Sequence, residues 1–201
     1  MSRSELDGLA EKVQEMLTDL SRKKLFNAIA YFVSNTKWCY KTKLFKLLFF
    51  LDFQHYQETG RSVTGLHYNA WPMGPVPVSL FDEIKYQQTD LAKHFTMQEK
   101  KHGKGNTLTI VPHFSFDSAL FSRRELRIME NLALEFHTAS AKQMVEETHL
   151  ENRPWHTVYQ QWGKQQALIP YALAIRESEK KEMETLIQDR NNFLAEFGSR
   201  Q

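Results

Sequence analysis

Two places in this chain pair a carboxylate with an imidazole at helical spacing: Asp52-Phe53-Gln54-His55 and Glu146-Glu147-Thr148-His149. Acid and imidazole three residues apart on a helix face the same way, the arrangement from which di-metal sites of helical bundles are built. Such a site needs two further inward carboxylates, and no other helix supplies an obvious pair. Ordinary polar residues and a helix-end histidine are therefore the expectation, with no metal and no other cofactor. Gly103-Lys104-Gly105-Asn106 is glycine-rich but lacks the spacing of a phosphate-binding loop and its terminal Lys-Ser/Thr, and it precedes a strand pattern. Nucleophilic catalysis finds no G-x-S-x-G, and the single cysteine, Cys39, sits between Trp38 and Tyr40 with no histidine close in sequence. The residues do not read as those of an enzyme.

Nucleic-acid binding is the stronger rival. Lys41, Lys43 and Lys46 cluster at one helix start, Lys100, Lys101 and Lys104 in a loop, and Arg123 and Arg124 at another helix start. Contacts from such groups to phosphate would give salt-sensitive binding. Acidic residues are interspersed throughout, however, and the formal net charge is only +2. One cysteine excludes an intrachain disulfide and fits a reducing cytoplasm. Uninterrupted apolar runs such as Leu47–Leu51 are far short of a membrane span, and the first residues lack the apolar stretch of a signal peptide.

The elements that must position these residues follow from periodicity. Leu6, Leu9, Val13, Met16 or Leu17, and Leu20 mark an amphipathic helix over 5–20, and Leu25, Phe26, Ile29, Phe32 and Val33 a second over 22–34. The central helix opens near Thr42, read as its N-cap, holds apolar residues on nearly every side from Leu44 to Phe53, and ends at Gly60. A helix apolar all round must be wrapped by others. Leu66, Tyr68 and Ala70 alternate as a strand that Pro72 stops. Pro75 and Pro77 suit the first turn of a helix running to about Gln87. Gln98–Asn106 reads as a polar connection and Thr107–Val111 as a second strand able to pair with the first. Ser122 and Ser140 each begin a capping-box pattern, Pro154 opens a short helix, and a last helix of about 25 residues follows Pro170. The expected fold is mainly α: a single helical domain over 1–201 around a buried central helix, with a small antiparallel two- or three-stranded β element. Its core spans 22–175, flanked by amphipathic helices in 1–21 and 176–201.

Three motifs in order carry a resemblance. T-K-L-x-K-L-L-F-F-x-D-x-x-H-Y-x-x-T-G at Thr42–Gly60, Ala70-Trp71-Pro72-Met73-Gly74-Pro75-Val76, and Thr148-His149 followed by Pro154-Trp155 resemble the signature of the SocA-like antitoxin family, the Panacea domain. The match extends over about Leu25–Ile175. It departs from the pattern at Pro72-Met73 and at Arg153. The resemblance implies a bacterial or phage protein that neutralises a cognate toxin by direct protein–protein binding, without catalysis. One branch of the family instead delivers its toxin to a AAA+ protease. The motif residues Lys43, Leu44, Lys46, Leu47, Gly74, Pro75, Val76, Thr148, His149, Pro154 and Trp155 are read as structural: Gly74 provides a positive φ, Trp155 plugs the core and His149 caps a helix end. Partner contact is expected on the apolar stripes of the outer helices, at Leu6, Leu9, Val13, Met183 and Ile187.

Overall fold

The computed structural model describes the backbone of residues 3–199 apart from 88, 103, 104 and 152, and side chains there except those of 3–15, 89, 100–102, 105, 106, 190 and 193–199. The first helix, α1, runs unbroken over Arg3–Asn35 where two helices were expected. No proline or glycine lies in the Leu20–Arg22 join, so the apolar stripe changes face without ending the helix. Its second half is buried through Leu25, Phe26, Ala28, Ile29 and Phe32. The Asn35 amide and Thr36 hydroxyl close it by donating to the Tyr31 and Phe32 carbonyls.

The central helix, α2, spans Lys41–Thr59. Leu44, Leu47, Leu48 and Leu51 are wholly buried, as its apolar density requires. Thr42 is not its cap: Tyr40 holds the N-cap position without a side-chain bond, and Thr42 sits inside the first turn. Gly60 ends the helix in the left-handed region, φ 66°, with its N–H on the Tyr56 carbonyl. The backbone is also closely covered there. A Cβ on Gly60 would come within 2.7 Å of the Ile187 side chain.

The β content is two separate antiparallel ribbons. Strand β1, Asn69–Trp71, pairs with β2, Gly74–Val76, where the proline spacing suggested the entry to a helix. Pro75 therefore lies in a strand, not in a helical turn. It stands opposite Ala70, whose own N–H and C=O bond to Ala167 and Gln166 on the other side, so the missing proline N–H breaks no ladder bond. Only Pro77 stands at a helix entry, as N-cap of α3, Val78–Lys85. A short α4, Thr89–His94, leads to β3, Phe95–His102, which pairs along its full length with β4, Gly105–Pro112. The expected polar connection is thus mostly strand, and the pairing foreseen between the two predicted strands does not occur.

Helix α5, Arg123–Glu135, and α6, Ala141–Thr148, each begin with a complete capping box, at Ser122 and Ser140. Pro154 opens the single turn α7, Pro154–His156, which continues as a π turn over Thr157–Gln161. The long last helix is interrupted: two 3₁₀ turns, Tyr171–Ala174 and Glu177–Glu179, precede α8, Lys180–Ser199. The core closes around α2, with α1, α5, α6, β2, β4 and the Tyr171 turn against it. No helix among the described residues is long and apolar enough to cross a membrane.

Candidate functional site

The three motifs, far apart in sequence, meet at one buried point. Lys46 projects from α2 with 1% of its surface exposed, and its Nζ donates to the Pro75 carbonyl at 2.8 Å. Burial pushes this amine down to about 7. Gly74 has φ 92°, and a Cβ there would sit 2.7 Å from Thr148 Oγ1 and 2.8 Å from Lys46 Nζ. Only a residue without a side chain lets strand and lysine approach this closely. Thr148, 1% exposed, turns its hydroxyl back onto the Val145 carbonyl.

Beside them, His149 caps α6 and lies flat on Trp155, ring centres 3.6 Å apart and planes 7° apart. Trp155 stacks in turn on Tyr159 and donates its indole N–H to the Trp71 carbonyl at 2.9 Å. The third motif is thereby fastened to the second. His149 Nε2 and His156 Nδ1 are buried without a hydrogen-bond partner among the described residues. Desolvation, then the neighbouring Lys46 and His156, lowers the His149 pKa.

Lys43, one turn before Lys46, is also fully buried. Its ammonium donates to the carbonyls of Lys37, Ala139 and His137 at 2.8, 2.9 and 3.2 Å. It joins the loop after α1 to the loop between α5 and α6. Trp38, in the first of these loops, has φ 53° and is more than half exposed. Leu44 and Leu47 are core residues, Val76 is buried, and Pro154 occupies the first turn of α7.

Among the described residues, in neither acid–imidazole pair do the two side chains share a partner. Asp52 accepts the backbone N–H groups of Val63 and Thr64 at 2.8 Å, the Thr64 hydroxyl and the Tyr68 phenol, so its carboxylate binds a loop to α2. Its neighbour His55 donates instead to the Arg61 carbonyl. Glu146 is exposed and pairs with Lys142, while His149 faces Trp155. The Cys39 thiol is buried and pushed up to about 11.

The basic cluster expected at the start of α2 dissolves. Lys43 and Lys46 are internal, and Lys41 lies over the Phe81 ring at 4.6 Å. The side chains of Lys100, Lys101 and Lys104 fall outside the described residues, and Arg123 and Arg124 are exposed. Of the expected contact stripes, Leu6, Leu9 and Val13 also have side chains outside the described residues. Met183 is buried, and with Ile187 it rests on Gly60 at the end of α2. Sequence reasoning read Lys43 and Lys46 as structural without naming what they hold, and gave Asp52 no anchoring role. The signal was present: on a helix apolar all round, a lysine has no wet face to occupy.

The arrangement is a fastening. An ammonium sealed from solvent with one carbonyl acceptor, beside a stacked indole, sets the backbone geometry of the turn it holds. The model of the family described as antitoxin SocA-like, Panacea domain, matches residues 44–156, more than half of the chain and a span that takes in Lys46, Gly74, Pro75, Thr148, His149 and Trp155, the node where the motifs meet. Comparison with curated proteins and with solved structures gives no match.

Proposed function

The chain belongs to the SocA-like antitoxin (Panacea domain) family, and from that premise we propose that it neutralises a cognate toxin by binding it directly. The observation that carries this reading is the family match over 44–156, within which the motif side chains at the node are spent on one another. A shared interior that fastens the fold leaves recognition to surfaces outside the motifs. The chain then acts as a stoichiometric binder, without catalysis and without a cofactor, in the cell interior where its toxin acts. Buried Lys43 and Lys46 weaken the alternative of a nucleic-acid-binding regulator, because they remove two cations from its footprint. The test is co-expression with the protein encoded by the adjacent gene. Growth arrest by that protein alone, relieved when this chain is present, supports the reading; arrest that persists in its presence refutes it.

A further inference from the structure

One groove carries a surplus of positive charge. Leu17 and Leu20 on α1, the Arg61–Val63 loop after α2 and the Ser122–Glu125 start of α5 line a cavity of about 700 Å³. Lys24 crosses its floor to Glu125 at 2.6 Å. At the lip, Glu58 is shared by Arg124 at 3.3 Å and Arg127 at 2.6 Å. Arg61 and Arg123 are exposed and make no ion pair among the described residues. Groove and lip thus hold five cations, Lys24, Arg61, Arg123, Arg124 and Arg127, against two carboxylates, Glu58 and Glu125. That surplus of three exceeds the formal +2 of the whole chain. One wall is aliphatic: Leu17 and Leu20 are 43% and 38% exposed and stand three apart on the same side of α1.

We propose that this groove docks the toxin, and that the toxin presents an acidic amphipathic segment to it. Its carboxylates pair with Arg61 and Arg123, and its apolar side covers Leu17 and Leu20. Charge complementarity of this kind selects the partner and speeds encounter. A nucleic acid would use the cations but leave the leucine wall uncovered, which favours a protein occupant. The proposal rests on the antitoxin reading above and deepens it by naming the face and the partner's chemistry.

The test titrates the full chain with the purified product of the adjacent gene at low and at high salt. Arg61→Glu with Arg123→Glu is compared with wild type and with Lys142→Glu, a change at an exposed lysine on α6 outside the groove. The double reversal is expected to weaken binding by about tenfold or more and to flatten its salt dependence, with the melting temperature kept. Lys142→Glu is expected to bind as wild type does. If the reversal fails to fold, Arg61→Gln with Arg123→Gln carries the same expectation at smaller amplitude. Binding by a folded groove variant that equals wild type overturns the proposal. So does tight, salt-sensitive binding of a fluorescein-labelled DNA duplex that the same variant loses, or self-association that it abolishes. If the wild type neither binds the adjacent product nor relieves its toxicity, the antitoxin reading itself fails, and with it the toxin as occupant.

Discussion

Lys46 Nζ and Gly74 occupy the same few ångströms: the amine lies 2.8 Å from where a Cβ on Gly74 would stand, while it donates to the carbonyl of the next residue, Pro75, at 2.8 Å. The strand turn and the central helix are therefore built to each other's shape, and each becomes testable through the other.

Gly74→Ala places a methyl group between Thr148 Oγ1 and Lys46 and forces an L-residue to φ 92°. Both effects oppose the fold, and α6 and α2 must move apart to admit it. A loss of about 2 kcal/mol or more is expected, read from chemical denaturation. A variant as stable as wild type would show that the approach is not tight.

Lys46→Met tests the buried amine through pH. The folded value of about 7 lies below the ordinary 10.5, so between those limits the unfolded chain holds a proton that the folded chain lacks. Wild-type stability must then rise with pH across the window, by about 1 kcal/mol per unit, as the penalty for burying the charge is relieved. Below about pH 7 both states are protonated and this contribution is flat. Methionine has no proton to exchange, so stability relative to the variant should climb from pH 7 to pH 9. Parallel stability curves would place the amine in a water-like setting.

Asp52→Asn probes the loop after α2. The carboxylate receives four donors and is wholly buried, and an amide turns one of its oxygens into a donor facing the Thr64 and Tyr68 hydroxyls. Destabilisation of about 2 kcal/mol is expected from the disrupted network. Hydrogen exchange should also speed at the Val63 and Thr64 amides; unchanged exchange there would assign the loop's order to other contacts.

How much of this was legible depended on whether a signal was local. The Ser122 and Ser140 caps, the Gly60 stop, the apolar density of Leu44–Phe53 and the positive φ of Gly74 are written within a few residues each, and the structure has them all. Of the β3–β4 ribbon, β4 was legible at Thr107–Val111 but β3 was not, because Phe95 and Met97 are its apolar inward positions and Gln98–His102 reads as solvated loop. The break imagined near Ser21 came from a change of apolar face that a continuous helix absorbs as it moves from the outer surface into the core. Of the node, the motifs named its members and the apolar surround of α2 implied the buried amine, while its carbonyl partner came only from tertiary packing. The partner-contact stripe was misjudged at Met183 in the same way: an apolar stripe must land somewhere, and this residue lands on its own chain.

The most direct measurement is size-exclusion chromatography of this chain co-expressed with the product of the adjacent gene, with the toxin's half-life followed in the same cells. Direct neutralisation predicts one stoichiometric complex that contains both proteins and a toxin that persists while growth is restored. A toxin that elutes free of this chain, or that disappears as growth recovers, would contradict it.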